Sequence, residues 1–327
     1  MTPYQAYGFR LVSDLVIPEL SPVSCSDGDS QPVLIVRLNI ARHIRFDPDA
    51  VLLRTDNPDG QEWLVCAKSS GGFVLRFVGT ADFFVNESGD IIECCWIHDA
   101  TSPDTLRHLV LDAVIPRVLD LRGFEPIHAT AASIDGAACA FLGPTGAGKS
   151  TLATNFALAG APLLGDDCVV LSVTNTDAVL TPGYAGARLW GDSFDALGIG
   201  PSESEIVADC GSKRRVPELG CAFSAVPQPL KRIYRLSRPG ENAEQVHSPA
   251  LEEMRPAESL IELASASYRF NPTDRVRNLR KFEFLKKIVA LVPMRRLIVP
   301  NDFAMLCAVR NLILADLAGP VSANMYV

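Results

Sequence analysis

The feature that most constrains this chain is a glycine-rich run at residues 143–151, which reads Gly-Pro-Thr-Gly-Ala-Gly-Lys-Ser-Thr. It matches the pattern G-x-x-x-x-G-K-[ST] through Gly143, Gly148, Lys149 and Ser150. This pattern requires a strand before it and a helix after it. The sequence supplies both, because the strand-like AACAFLG precedes the run and a helical pattern follows it. We therefore expect an α/β fold in which residues 143–151, the glycine-rich loop, join a strand to a helix.

The residue types in this loop predict its chemistry. Glycines let successive backbone N–H groups turn inward around anionic oxygens, and the helix that follows adds its positive N-terminal end. Lys149 is expected to reach the β- and γ-phosphates of ATP, and Ser150 to hold Mg²⁺. The alternative is a glycine-rich strand-to-helix turn with an incidental lysine. The predicted nucleotide-binding residues are Gly143, Pro144, Thr145, Gly146, Ala147, Gly148, Lys149, Ser150 and Thr151.

Two adjacent carboxylates, Asp166 and Asp167, follow the loop after one helix and one short strand. We expect them at the end of the strand next to the glycine-rich loop. Beside bound phosphates, one carboxylate can hold Mg²⁺ and the other can accept the proton of an attacking hydroxyl. We assign proton acceptance to Asp166 and metal support, together with Ser150, to Asp167, although the sequence does not distinguish the two roles. An acidic turn that caps a strand is the alternative.

A histidine, His128, begins the strand-turn-strand unit that leads into the loop, with Asp135-Gly136 as its turn. The hairpin partner of the loop strand could present this imidazole to the phosphates. Taken alone, a histidine in an alanine-rich strand is more often a structural residue.

Composition excludes several classes of function. The 327 residues have a formal net charge of −8, so the chain is not built to coat nucleic acid. No run approaches the roughly 18 uncharged apolar residues of a membrane span, and the start does not resemble a signal peptide. The nine cysteines form no CxxC pair, which is typical of reduced thiols. We expect a cytoplasmic protein without a membrane or nucleic-acid partner.

The organisation of the chain changes near residue 100. Before it, VLIVRLNI, EWLVCAK, GFVLRFVG and GDIIECCWI alternate with turn sequences, which predicts a small antiparallel sheet. After it, Ser102 and Pro103 begin a helical pattern that Pro116 is expected to kink. We predict a β-rich N-terminal domain over 1–100 and a second domain over 101–327. In the second domain, 181–240 is expected to be mostly loop, and helices are expected near 249–266, 274–291 and 302–318.

The second domain resembles a known family. His128-Ala-Thr-Ala-Ala-Ser, AFLGPTGAGKSTLA and LLGDDCVVL together are similar to the C-terminal kinase domain of the HPr kinase/phosphorylase family. Its fold type also occurs in ATP-dependent phosphoenolpyruvate carboxykinase. The match covers about residues 105–175. The resemblance implies a P-loop kinase domain with a mixed sheet and catalytic roles for His128, Lys149, Asp166 and Asp167. The Glu-Ile-Arg-Gly-Leu-Gly run of HPr kinases is absent, so HPr is not implied as the substrate.

The N-terminal YGFRLVSDLVIPEL resembles a branch of these kinases that includes lasso-peptide kinases, which phosphorylate a C-terminal serine of a precursor peptide. The resemblance implies an ATP- and Mg²⁺-dependent serine kinase acting on a peptide or protein. Two alternatives stay open, namely a nucleotide-dependent switch or ATPase that only binds its partner, and a small-molecule kinase. Self-association also stays open.

Two basic clusters complete the candidate sites. The first, residues 213–215, could reach the γ-phosphate in the transition state. The second stripes a C-terminal helix and could hold an acidic peptide, although a solvated helix face is the more common reason for such a stripe. It consists of Arg275, Arg277, Arg280, Lys281, Lys286 and Lys287.

Overall fold

The fold is that of a computed structural model, which describes residues 1–20, 22–23, 33–40, 44–57, 59–96, 101–199, 214–216, 223–238 and 248–319. It is a mixed α/β architecture with two large sheets, the first of which is built from the N-terminal region. Within the described ranges, none of the helices has both the length and the apolar character needed to cross a membrane. The six cysteines in these ranges are free thiols, and all except Cys307 are buried.

The N-terminal region forms an eight-stranded sheet in the order β1-β2-β3-β8-β7-β6-β5-β4. The strands from β4 to β8 pair as antiparallel hairpins, as predicted. However, β3 is parallel to both β2 and β8, so the prediction of a small, purely antiparallel sheet is wrong. Parallel pairing needs a long connection, and the segment between β2 and β3 provides one. The strands are Thr2–Ala6, Phe9–Ser13, Val33–Ile40, Val51–Asp56, Glu62–Ser69, Gly72–Phe77, Ala81–Asn86 and Ile91–Trp96, with a 3₁₀ turn at Pro48–Ala50.

One interrupted helix connects the two sheets. It consists of α1 (Pro103–Leu109), a π turn (Val110–Val114) and α2 (Ile115–Leu121). Ser102 caps it as predicted, since its hydroxyl accepts from the Thr105 amide at 3.1 Å. A π turn ends two residues before Pro116, which lies in the first turn of α2, and the predicted kink at this proline stays a prediction.

The connecting helix shares its core with the N-terminal sheet. Side chains such as Leu106, Val110 and Val118 pack together with the apolar face of that sheet. Tyr7, in the β1–β2 turn, extends this core toward the second sheet, and its ring meets that of Tyr184 edge-on at 6.2 Å between centroids. The first hundred residues and the rest of the chain therefore pack as neighbours around common apolar side chains.

Within the described part of the chain, the second sheet has nine strands. Its main path is β12-β10-β11-β17-β14-β13-β9, with β19 pairing with both β17 and β18. Strands β11, β17 and β19 are parallel neighbours, whereas the other pairs are antiparallel, so the sheet is mixed as expected. Strands β15 and β16 form a separate ribbon. The bounds from β9 to β19 are Glu125–Ile127, Thr130–Ile134, Ala137–Leu142, Leu163–Gly165, Val169–Val173, Ala178–Thr181, Ala187–Leu189, Arg214–Val216, Gln228–Ser237, Ala250–Glu253 and Met294–Ile298.

Helices cover both faces of this sheet. Side chains alternate along β11, so that Cys139 and Phe141 pack in a core with α3 and α7, while Ala138 and Ala140 pack in another with α5 and α6. This alternation explains why the AACAFL strand is apolar throughout, because both of its faces are buried. The helices are α3 (Lys149–Leu158), α4 (Gly191–Leu197), α5 (Pro256–Ala266), α6 (Arg275–Leu291) and α7 (Leu306–Ala318), with a 3₁₀ turn at Phe303–Met305.

Two sequence predictions fail in this half of the chain. The helix predicted over 249–266 begins only at Pro256, because residues 250–253 form β18. Residues 181–240 were expected to be mostly loop, but they contain β17, a ten-residue central strand. Its charged residues obscured the strand pattern. They are accommodated by ion pairs, of which Arg232–Asp316 at 3.0 Å and Arg235–Glu262 at 2.6 Å are examples.

Candidate nucleotide site

The glycine-rich loop connects the end of β11 to the start of α3, as the sequence pattern requires. Gly146 and Gly148 have φ values of +81° and +97°, which side chains rarely tolerate. At Gly143 a Cβ atom would lie 3.1 Å from the Ala147 Cβ and 3.2 Å from the Leu236 carbonyl oxygen. The three glycines therefore allow a backbone path and a close approach to β17 that other residues would strain.

The side chain of Lys149 lies against the inside of this loop. Its Nζ donates to the carbonyl oxygens of Gly143 at 2.8 Å and Pro144 at 3.2 Å. The lysine is buried, although it carries a charge. A buried ammonium needs acceptors, and these carbonyls hold it beside the N-terminus of α3.

Asp166 follows β12 directly and is tied to the start of α3. Its Oδ1 accepts from the Ser150 hydroxyl at 2.8 Å and the Thr130 hydroxyl at 2.6 Å, and its Oδ2 accepts from the Arg188 amide at 3.0 Å. Burial raises the pKa of Asp166, and the neighbouring charge of Asp167 raises it further, against the three hydrogen bonds. The sequence predicted that the acidic pair follows the strand next to the glycine-rich loop. The pair follows β12, but β10 lies between β12 and β11, the strand that leads into the loop.

Asp167 has a different environment from Asp166. Its φ is +62°, and the Cys168 amide donates to the Asp166 carbonyl oxygen at 2.8 Å across it, which is the geometry of a rare and strained three-residue turn. The side chain is 20% exposed and lines the cavity in front of the loop. The tight turn thus directs one carboxylate to Ser150 and the next into the cavity.

Two side chains hold this turn from behind. His128 Nδ1 donates to the Asp167 carbonyl oxygen at 3.0 Å, and the Tyr268 hydroxyl donates to the same oxygen at 3.2 Å. Because a carbonyl can only accept, this bond places the imidazole proton on Nδ1. Burial lowers the pKa of His128, an effect that the Asp167 charge opposes. His128 therefore contacts the backbone of the acidic pair while its ring also lines the cavity.

Arg188 is a site residue that sequence reasoning missed. It lies in β15, lines the cavity, and places its Nη1 3.8 Å from Asp167 Oδ2. Its side chain is only 10% exposed and forms a close ion pair with Asp112. The available signal was a single arginine between Ala187 and Leu189, since a charge in an otherwise apolar strand must find a partner.

Asp112 anchors Arg188 from the π turn. Its carboxylate also accepts from the Tyr184 hydroxyl at 2.6 Å and lies 2.7 Å from His108 Nδ1. Although burial opposes ionisation, Arg188, His108 and Tyr184 together lower the pKa of Asp112 to about 2. A π turn inside an α-helix often marks a functional position, and here it presents the carboxylate to the cavity arginine.

The cavity itself has a volume of about 350 Å³. Residues 145–151 line one side, and Asp167, Arg188 and His128 line another. The rest of the lining comes from Trp190, Asp192 and Ser193 around the start of α4, from the end of β17, and from the segment between Val299 and Val309. A concave site that combines apolar walls with a few convergent polar groups is typical of a small-molecule site.

Ser150 and Asp166 are the groups that fit a magnesium ion. Mg²⁺ prefers oxygen ligands and usually takes one or two from the protein, with water and phosphate oxygens completing its coordination. The hydroxyl of Ser150 and the carboxylate of Asp166 are already in contact beside the loop. Within the part of the chain that the structure describes, no cluster of three or more His, Cys, Asp or Glu side chains forms a protein-only metal site.

The structure describes the two basic clusters to different extents, and the prediction that residues 213–215 reach the γ-phosphate stays a prediction. Lys213 lies outside the described residues, and the backbone of Arg214 and Arg215 belongs to β16, which pairs with the Arg188 strand. On α6, the interpretation of six free basic side chains is wrong for Arg277 and Lys281.

Arg277 and Lys281 are partners in a largely buried ion cluster. Arg277 Nη2 lies 2.9 Å from Asp120 Oδ1 and also pairs with Glu125, while Lys281 Nζ lies 2.8 Å from Asp120 Oδ1 and donates to the Tyr268 carbonyl at 2.7 Å. They anchor α6 to the protein, and the basic residues that face solvent are Arg275, Arg280, Lys286 and Lys287.

Comparison with known proteins finds distant similarity at the level of solved structures. No family model matches the chain, and no curated protein matches it. Among solved structures, the HPr(Ser) kinase/phosphatase from Coxiella burnetii aligns with 16% identity and a TM-score of 0.31, covering 58% of this chain and 96% of that one. A similarity of this size does not establish a shared family, so the function has to be argued from the site itself.

Proposed function

We propose that this protein is an ATP- and Mg²⁺-dependent kinase that phosphorylates a serine hydroxyl of a peptide or protein. The observation that carries the proposal is the convergence of three groups on one cavity. They are the glycine-rich loop with Lys149, the Ser150 hydroxyl with Asp166 behind it, and Asp167 beside Arg188.

The loop and Lys149 bind the triphosphate. Backbone N–H groups of the loop and the N-terminus of α3 favour anionic oxygens, and the Lys149 ammonium adds a full positive charge. Mg²⁺, when bound by Ser150 and Asp166, would neutralise charge on the β- and γ-phosphates. This assigns metal support to Asp166, the reverse of the assignment made from the sequence, because Asp166 is the carboxylate in contact with Ser150.

Asp167 then acts as the base. As the acceptor oxygen attacks the γ-phosphorus, its proton passes to the Asp167 carboxylate, and the bond from the γ-phosphorus to the bridging oxygen breaks to release ADP. Arg188, held by Asp112 and 3.8 Å from Asp167, is placed to stabilise the transferring phosphoryl group. Neutral His128 and Tyr268 keep the Asp167 turn in position.

A peptide acceptor is supported by the resemblance of the N-terminal sequence to lasso-peptide kinases, which favours a C-terminal serine. The test is to incubate the protein with Mg²⁺, ATP and a peptide that ends in serine, and to look for one added phosphoryl group by mass spectrometry. The same peptide ending in alanine is the matched acceptor control. Lys149→Ala is the enzyme control, and its melting temperature is measured alongside.

We expect the wild-type protein to phosphorylate the serine peptide, whereas Lys149→Ala should be folded and inactive. ATP hydrolysis without transfer to any hydroxyl would instead assign the site to an ATPase or switch, and transfer only to small hydroxyl compounds would assign it to a small-molecule kinase. Undiminished transfer by folded Lys149→Ala would refute the role of the loop.

A further inference from the structure

We propose that the far wall of the cavity is a purine subsite, so that the phosphoryl donor is a purine nucleoside triphosphate. This inference rests on the proposed function, because it takes the triphosphate to lie in the glycine-rich loop. It concerns a different part of the cavity, formed by the end of β17 and by residues 299–309.

The topology of the sheet places this wall next to the loop. Strands β11, β17 and β19 are adjacent and parallel, so their carboxyl ends meet at one edge of the sheet. The loop follows β11, Arg238 follows β17, and the segment 299–303 follows β19. A Cβ atom on Gly143 would lie 3.2 Å from the Leu236 carbonyl oxygen, which shows how closely the backbone of β17 approaches the loop. A ligand anchored by phosphates at the first strand end therefore extends over the other two.

The wall is apolar and ends in an aromatic ring. The 3₁₀ turn before α7 carries Phe303, whose side chain is 39% exposed although it lines the cavity. A planar base can stack on such a ring while its other edges cover aliphatic groups. The two fused rings of a purine bury more apolar surface there than the single ring of a pyrimidine. The aliphatic lining consists of Leu236, Val299, Pro300, Leu306 and Val309.

Three polar side chains from the same strand ends also line the cavity, namely Arg238, Asn301 and Asp302. Arg238 Nη1 donates to Asn301 Oδ1 at 3.0 Å, which orients the carboxamide. Among the described residues the Asn301 amide nitrogen has no acceptor, so it can donate to a ring nitrogen of the base. The Asp302 carboxylate accepts from the Ala304 amide at 2.9 Å, which fixes the turn that presents Phe303, and it also lines the cavity.

The experiment compares ligands that share the phosphates and differ in the base. Binding of ATP, GTP, UTP and inorganic tripolyphosphate, each with Mg²⁺, is measured by calorimetry for the wild type and for Phe303→Ala. Phe282→Ala is the matched control, because this phenylalanine is 47% exposed on α6 and does not line the cavity. Phe303→Trp tests whether an aromatic ring is sufficient. Melting temperatures confirm that each variant is folded.

We expect the wild type to bind ATP and GTP at least about tenfold more tightly than tripolyphosphate, the range given by one stacked base. Phe303→Ala should lose most of this difference without changing tripolyphosphate binding, while Phe282→Ala and Phe303→Trp should keep it. Equal affinity for ATP and tripolyphosphate would overturn the subsite and leave the loop assignment intact. UTP binding as tight as ATP binding would overturn the purine preference. Failure of every ligand to bind would refute the proposed function itself.

Discussion

The ion pair between Asp112 and Arg188 gives the sharpest test of how the site is held together. The perturbation is Asp112→Asn, which keeps the size of the side chain and removes its charge. Arg188 is only 10% exposed. Among the described residues, Asp167 at 3.8 Å would then be its one remaining carboxylate within ion-pair distance. Breaking a buried pair by removing one partner typically costs about 3–5 kcal/mol.

The pKa of Asp112 gives an independent magnitude. A value of about 2, against an ordinary value of about 3.9, corresponds to roughly 2–3 kcal/mol of stabilisation. Since Asp167 compensates part of the arginine charge, we expect Asp112→Asn to lower the free energy of unfolding by about 3 kcal/mol. Because the pKa is lowered in the folded protein, this stabilisation is complete above about pH 4 and is lost as the pH falls towards 2.

The assay is urea unfolding of the wild type, Asp112→Asn, Arg188→Met and the double variant at pH 7 and near pH 3, together with phosphoryl transfer. The double variant should be more stable than the sum of the two single changes predicts, by about 1–3 kcal/mol. Asp112→Asn should also slow transfer at least about tenfold, because Arg188 loses its orientation. Additive single changes, or a cost below about 1 kcal/mol for Asp112→Asn, would refute the reasoning.

Three further predictions follow from described contacts. Asp167→Asn should reduce kcat by about 10²–10⁴ with little change in ATP affinity. Asp166→Asn should instead raise the Mg²⁺ concentration needed for half-maximal rate, and the opposite pattern in the two variants would restore the assignment made from the sequence. Lys281→Met should lower the free energy of unfolding by about 3–5 kcal/mol and exposed Arg280→Ala by less than about 0.5 kcal/mol; equal effects in urea unfolding would contradict the buried cluster. Tyr268→Phe should lower kcat about tenfold with KM for ATP unchanged, and an unaltered kcat would rule out positioning of the Asp167 turn.

Local sequence signals predicted the parts of the site that lie close together in the chain. The glycine-rich loop, the hairpin before it and α3 after it follow from residues that contact one another locally. The acidic pair was also found, because one helix and one strand of ordinary length return the chain to the same edge. These signals could not give the division of roles that we propose for Asp166 and Asp167. That division depends on a three-residue turn at positive φ. Aspartate tolerates this conformation, but an aspartate in the sequence does not predict it.

The missed features depend on contacts across long sequence separations. Arg188 is recognisable only once the π turn brings Asp112 to it from 76 residues away in the chain, as their ion pair shows. The strand β17 was missed because its arginines hide the strand pattern, and their partners lie in α5 and α7. Likewise, the sequence of α6 considered alone assigns Arg277 and Lys281 to a solvated stripe. Their ion-pair partners, Asp120 and Glu125, belong to elements that come much earlier in the chain.

The packing of Tyr7 limits which parts of the N-terminal sheet are free to diverge. Its amide donates to the Gly183 carbonyl at 3.3 Å, its hydroxyl donates to the Leu111 carbonyl at 3.3 Å, and its ring meets Tyr184, which in turn contacts Asp112 and Arg188. A Cβ atom on Gly183 would lie 3.1 Å from the Tyr7 ring and 2.6 Å from a backbone oxygen. The β1–β2 turn is thus interlocked with the Asp112–Arg188 side of the cavity. Exchange of the whole N-terminal sheet for another would therefore have to carry a matching residue at each side of this contact.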